Sequence, residues 1–271
     1  MSLSQHSGNI PYCLRYAYST WTTKRLSDKV LQEAIQQTRV FLESNELKIL
    51  EHRVQGSQIQ MLVSAKPNHF PIGIAKAVKA KLAIALAEQK IYKSITREFA
   101  LRSVGENTTQ DLEHYLREQV DRRDFVDERF ANSLRPYSKE YDFDVTECER
   151  TTYGHYWYDL HLVLGTHGRY NVAIPDVWDA VLHATESWHQ EQGHRLRSIS
   201  LLPDHVHLLI RPNLSISPDN VGAGLIERLN RIKLMQNIYD PTFYVATHGK
   251  YAMNTIRNLQ RLGEESKGRR A

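Results

Sequence analysis

Two imidazoles stand two residues apart in the run Leu202-Pro203-Asp204-His205-Val206-His207-Leu208-Leu209-Ile210. Side chains alternate between the faces of a strand, so in an extended run His205 and His207 point the same way and set two nitrogens side by side. Such a pair is half of a metal site; it is equally a structural pairing, and the residues alone leave both readings open. Val206 and the Leu-Leu-Ile that follows bury the opposite face, which makes this an interior strand able to hold the rings in place. Asp204 is either an acceptor for an imidazole N–H or, after Pro203, a turn former.

The elements that must carry this pair occur twice. The first set reads as a strand over 12–22, a helix over 27–44 opened by the cap candidates Ser27 and Asp28, strands over 47–55 and 58–65, a helix over 71–92, a strand over 97–103 and a helix over 108–120. The second reads as a strand near 156–166, a helix from Pro175 to about 192, strands over 195–202 and 205–211, a helix over 218–237, a strand over 242–247 and a last helix over 250–262. Pro175 and Pro218 fall at helix starts, where a missing N–H costs nothing. Gln55 to Val63 aligns with Leu202 to Ile210 at a constant offset, with Gln58 and Gln60 where His205 and His207 stand, and Phe99 to Gly105 aligns with Phe243 to Gly249. Two βαββαβ copies predict an α+β protein of two ferredoxin-like (RRM-like) domains, antiparallel sheets with helices on one face. The expected division is 1–120 for the first copy, 121–150 for a connector, 151–263 for the second copy and 264–271 for a polar tail.

With its surrounding elements, the His-hydrophobic-His string resembles the catalytic motif of the single-tyrosine HUH transposases, small insertion-sequence enzymes that act on single-stranded DNA and to which the REP-associated tyrosine transposases are related. In that family the two histidines hold a divalent cation and a tyrosine on a helix attacks the scissile phosphate. Pro241-Thr242-Phe243-Tyr244-Val245-Ala246-Thr247 resembles the family's last strand. The Tyr-x-x-x-Gln helix that should follow is missing: Leu259 and Gly263 occupy its two positions. It stands instead in the first copy as His114-Tyr115-Leu116-Arg117-Glu118-Gln119, with Tyr115 and Gln119 one turn apart on one helical face.

One copy thus retains the His pair and the other the Tyr/Gln pair. If sites are shared across a two-fold, as the resemblance implies, His205, His207, Gln119 and Tyr115 make one complete site, and Gln58, Gln60, Leu259 and Gly263 make a degenerate one. The chain then reads as a fused pseudo-dimer with a single composite site, Tyr115 as nucleophile, and His205, His207 and Gln119 as ligands of Mg²⁺ or Mn²⁺. Imidazole ligands favour Mn²⁺ in affinity. Tyr251 is a rival nucleophile in the second copy, without a Gln four residues on.

The rest of the sequence bounds this reading. In 271 residues, 35 Lys and Arg face 31 Asp and Glu, a formal charge of +4 that permits nucleic-acid binding without requiring it. Lys76, Lys79 and Lys81 on the first copy's second helix are set against Arg228, Arg231 and Lys233 in the second copy as matched patches for phosphate contacts. Trp21 with Thr22 to Arg25 ends the first strand and reads as a DNA contact or as core. Residues 121–150 are charge-rich, with Asp142, Asp144, Glu147 and Glu149 near the end, and read as an exposed connector with one helical turn that avoids DNA. His155, His161, His167, His183, His189, His194 and His248 show no paired spacing. Of Phe243 and Tyr244, adjacent on a strand, one is expected in the core. Cys13 and Cys148 suggest neither a zinc site nor a disulfide framework.

No basic-then-apolar leader opens the chain and no apolar run reaches membrane-span length, so a cytoplasmic protein of a bacterium or archaeon is expected, without membrane contact. The resemblance implies metal-dependent nicking and rejoining of single-stranded DNA through a 5′-phosphotyrosine, a hairpin at an element end as substrate, and a second chain or partner transposase for complete transposition. The alternative is a catalytically inactive DNA-binding protein, a hairpin or repeat binder that regulates related elements.

Overall fold

A computed structural model describes residues 10–123, 125, 127–144, 146–233 and 237–253. Within them the chain is a mixed α+β protein of two six-stranded sheets and six α-helices. In the first half, β2 (Arg15–Thr22) buries every second residue, among them Tyr16, Tyr18 and Thr20, which is the period-2 signature of a half-covered strand. It is followed by α1 (Asp28–Glu43), β3 (Leu47–Gln55), β4 (Gln58–Ala65), α2 (Pro71–Glu88) and β5 (Ile95–Val104). Ser27 caps α1 by accepting from the Val30 N–H. In the second half the same succession is β9 (Asp159–Thr166), α5 (Pro175–Glu191), β10 (Arg195–Leu202), β11 (His205–Arg211), α6 (Pro218–Leu229) and β12 (Tyr239–His248).

Strand orders correspond. One sheet runs β3-β4-β2-β5 and the other β10-β11-β9-β12, all antiparallel. Each sheet is then extended by a strand that leads into the other. β1 (Tyr12–Cys13) lies parallel to β12, and β8 (Gly154–Trp157) lies parallel to β5, with β7 (Glu149–Arg150) beyond it. The single strands expected over 12–22 and 156–166 are therefore each split, at the buried Leu14 and Tyr158, and the two pieces serve different sheets.

The seam between the halves repeats itself. Tyr12 pairs with Val245 and Leu101 with Tyr156; Tyr156 follows Tyr12, and Val245 follows Leu101, by the same 144 positions. At that offset, the Arg15 N–H donates to Thr247 Oγ1 (2.8 Å) and the Asp159 N–H to Ser103 Oγ (3.0 Å). The backbones meet at Gly105 and Gly249: a Cβ on Gly105 would lie 2.2 Å from the Thr247 carbonyl oxygen, and one on Gly249 2.5 Å from that of Ser103. Only glycine permits so close an approach.

Where the chain leaves β5 it crosses this seam. The Thr109 N–H donates to the Gly249 carbonyl, and α3 (Thr109–Arg117) then lies over β10 and β11 of the second sheet rather than over its own. Helices were expected on one face only. Instead the second sheet is covered on both faces, by α5 and α6 on one and α3 on the other, which is why every residue of β11 is buried. Residues 121–150 also differ from the exposed connector expected. They form α4 (Glu128–Leu134), a 3₁₀ turn and β6 (Ser138–Glu140), which pairs antiparallel with β10, and they bury Ala131, Leu134, Tyr137 and Phe143 against the second half. Composition hid this because a few apolar residues at the right spacing suffice to dock a charged segment. Helix α6 ends at Leu229, short of the expected 237, and the last helix and tail lie outside the described residues from 254 onward, Leu259 and Gly263 included.

Candidate active site

His205 and His207 lie on one face of β11, ring centroids 4.8 Å apart, and both are buried. Each has one nitrogen engaged. His205 Nδ1 bonds Asp204 Oδ1 (2.8 Å), so Asp204 is the imidazole's acceptor as well as a turn residue. His207 Nδ1 bonds Nε2 of His161 (3.0 Å), and the two rings stack at 5.3 Å. His161 faces Leu209 across the β9–β11 register, on the same side of the sheet as the pair. Sequence spacing gave no sign of it, since strand register is a long-range fact.

Burial keeps these rings neutral. It pushes His161 down to about 3, with His248 adding to the effect, and holds His207 well below the ordinary histidine value, with His161 and His205 contributing. Burial lowers His205 as well, against the pull of Asp204. On Asp204 burial acts to raise the carboxyl, but the His205 hydrogen bond and the charges of His205, Arg123 and Arg169 outweigh it and hold the group below its ordinary value. Neutral imidazoles whose Nδ1 atoms are committed elsewhere present Nε2 for coordination. His207 Nε2 is buried and without a partner.

Against this face α3 sets Tyr115. Thr108 caps the helix in a capping box with Asp111. Leu112 and Leu116 pack on Leu209 with Tyr115 alongside. Glu113 pairs with Arg197, and Arg117 with Glu140 (2.7 Å), tying the helix to β10 and β6. The Tyr115 ring meets the His207 ring edge-on at 5.6 Å, and Arg122 lies 5.3 Å from the Tyr115 ring centre. Gln119, one turn on, is buried, its amide N–H donating to the Tyr115 carbonyl (3.2 Å).

Among the described residues no three His, Cys, Asp or Glu side chains group so as to hold a metal ion. A divalent cation at the His pair would therefore take its third protein donor from another residue type, and the Gln119 carboxamide oxygen is such a donor. The partnerless His207 Nε2 is the observation that fits this donor set.

Other residues read from the sequence lie elsewhere. Gln58 and Gln60 are half-buried on β4, opposite Trp21 and Ser19 of β2, and Trp21 is half-buried too. Tyr251 is exposed with its ring by Arg102 and Lys250; Phe243 is buried and Tyr244 is partly exposed. The basic patches do not match as expected. Counted from the prolines that open α2 and α6, Lys81 stands against Arg228, but Lys76 stands against Ala223 and Lys79 against Ile226. Lys79 and Lys81 lie over the rings of Phe99 and Phe41, Arg228 pairs with Glu191 and Arg231 with Glu227, while Lys76 and Lys233 are exposed.

Residues 154–258 match the family model described as transposase, IS200-like, a span that contains His205 and His207 and leaves out Tyr115 and Gln119. Over that span, which is less than half of the chain, the sequence is similar to the IS200-like transposases. No curated protein sequence matches it. Among solved structures it resembles a protein assigned as a transposase from Deinococcus radiodurans R1, at 20% identity over 41% of this chain and 94% of that one, with a TM-score of 0.33. It also resembles one assigned as a glycine cleavage system transcriptional repressor, at 10% identity over 80% of this chain and 88% of that one, with a TM-score of 0.20. At those scores neither neighbour defines the fold. Among the described residues no helix is long and apolar enough to cross a membrane.

Proposed function

We propose that the protein nicks and rejoins single-stranded DNA at one composite site, in which His205 and His207 of the second copy work with Tyr115 and Gln119 of the first. The observation that carries the reading is the approach of the Tyr115 ring to His207, 5.6 Å between centroids, by a helix whose own sheet is the other one. In this reading the two halves are ferredoxin-like copies fused as a pseudo-dimer, and the repeated seam and exchanged edge strands support it. Gln58 and Gln60 belong to a second, degenerate site whose helix positions, Leu259 and Gly263, hold neither Tyr nor Gln.

Tyr115 Oη attacks the phosphorus as the P–O3′ bond breaks, so the 5′ phosphate passes to the tyrosine and the freed 3′ oxygen takes up a proton. Attack by a 3′-hydroxyl on the phosphotyrosine reverses the step and seals a strand. A bound Mg²⁺ or Mn²⁺ supplies neutralisation of charge on the non-bridging oxygens. His205 and His207, held by Asp204 and His161, orient their Nε2 atoms, while Gln119 adds an amide oxygen one turn from the nucleophile. Leu112, Leu116 and Leu209 exclude water from beneath Tyr115.

Incubating the full chain with labelled single-stranded DNA of randomised sequence and Mn²⁺, then running a denaturing gel, tests this. A covalent adduct is expected that Tyr115→Phe abolishes while DNA binding persists. An adduct that survives in Tyr115→Phe and vanishes in Tyr251→Phe refutes the composite site. Binding without any adduct identifies a non-catalytic DNA-binding protein instead.

A further inference from the structure

Beside the His pair the chain brings two arginines onto one buried carboxylate. Arg123 Nη2 reaches Asp204 Oδ1 (2.6 Å) and Arg169 Nη2 reaches Oδ2 (3.0 Å); the Asp204 side chain is 7% exposed, whereas those of Arg123 and Arg169 are 33% and 60% exposed. Two guanidiniums on one carboxylate leave a net positive charge and unused N–H donors directed by a planar fork. Arg123 follows Gln119 by four residues on the Tyr115 side of the chain, and Arg169 belongs to the second half. Arg169 is held with φ +58 just after Gly168 at +60, a left-handed pair that a non-glycine residue rarely enters.

Next to them opens a cavity of about 370 Å³ lined by Arg123, Phe125, Phe130, Asn171 and Pro203. Phe125 and Phe130 meet edge to face at 5.5 Å, Asn171 is exposed, and Pro203 leads directly into Asp204 and His205. Aromatic walls, one amide able to bond a base edge, the Arg123 guanidinium in the lining and Arg169 on the other oxygen of the same carboxylate are the chemistry that seats a single nucleotide: rings stack on any base, and arginine forks grip phosphate. The segment that supplies Arg123, Phe125 and Phe130 is the one expected to be an idle connector.

We propose that this cavity is a nucleotide subsite of the cut strand, with the base against Phe125 and Phe130 and a flanking phosphate on Arg123 and Arg169. It rests on the reading of the neighbouring residues as a single-strand nicking site. It gives the site a hold on one base next to the phosphate to be cut.

The test is anisotropy titration of the full chain, with chelator present so that nothing is cut, against two labelled probes: dT12 and an abasic 12-mer with the same backbone. Wild type is expected to prefer dT12. Phe125→Ala is expected to weaken dT12 about five-fold or more, within the range for one stacked base, and to leave the abasic probe unchanged. Asn171→Ala acts the same way more weakly, and Arg169→Ala weakens both probes. Phe125→Tyr, which retains the ring, is expected to retain the preference, so that loss of fold in the alanine variant is separable from loss of the contact. Equal effects of Phe125→Ala on both probes, or none on either, overturn the subsite while leaving DNA binding intact; failure of wild type to bind either probe overturns the nicking reading with it.

Discussion

Leu208 and Leu209 are adjacent on β11, both 0% exposed, and point to opposite faces of the second sheet. Leu208 belongs to the main core, whereas Leu209 packs with Leu112 and Leu116 under α3. Truncating either to alanine removes a fully buried side chain, which costs about 2–5 kcal/mol. The two losses should fall in different places. Helix α3 spans only Thr109–Arg117, too short to persist without tertiary contacts, and beside the leucines it is tied to the second half by the pairs of Arg197 with Glu113 and Arg117 with Glu140, by the Thr109 bonds to Gly249 and His248 at its first residue and by the Tyr115–His207 ring contact. Leu209→Ala should therefore open α3 locally: at the lower bound of about 2 kcal/mol its amides exchange roughly 30-fold faster, since 1.4 kcal/mol is a factor of ten. Leu208→Ala should instead lower global stability and speed exchange throughout the second sheet. Hydrogen exchange read by mass spectrometry on peptides covering 109–117 and 195–211 separates the two, and DNA adduct yield should fall with α3 opening in Leu209→Ala. Equal α3 exchange in the two variants would show that the leucine patch does not hold the tyrosine helix in place, and would refute the reasoning.

Three further outcomes are expected. His205→Ala or His207→Ala should weaken Mn²⁺ binding by calorimetry at least ten-fold, whereas Gln58→Ala and Gln60→Ala should leave it unchanged; equal losses in both copies would mean that the glutamine pair also binds. His194, buried beside Trp188 with Nδ1 accepting from the Asn213 N–H, is pushed down by burial to about 4. The unfolded chain takes up this proton first, so the contribution of His194 to stability falls as pH drops from about 6.5 to about 4 and levels off below; at pH 5 it amounts to about 2 kcal/mol, read as the difference in pH dependence between wild type and His194→Gln in urea unfolding, the other buried histidines being common to both. Intact mass should find at most one covalent DNA per chain, because the proposed site has one nucleophile, Tyr115, set against His207; two adducts on one chain would sink the single-site reading.

Much of the local structure is written in the sequence. Ser27 before α1 and the prolines that open α2, α5 and α6 set the starts of those helices, and β4 and β11 fall on the expected residues, because period and capping are properties of neighbours along the chain. The i, i+2 spacing likewise places His205 and His207 on one face, and the internal alignment pairs Phe99–Gly105 with Phe243–Gly249. What no periodicity can encode is which distant element an exposed face meets. His161, with no paired spacing of its own, reaches His207 only through the β9–β11 register. Arg123 and Arg169 come from segments 46 positions apart and converge on Asp204. The split of two strands at Leu14 and Tyr158, the docking of residues 121–150 and the passage of α3 across the glycine seam are all decided by burial among non-local partners. Sequence thus determined the parts and their faces; only the tertiary structure decided that the tyrosine helix of one half covers the histidine strand of the other, since that choice depends on a close backbone approach at Gly105 and Gly249 and on an apolar patch shared by residues nearly a hundred positions apart.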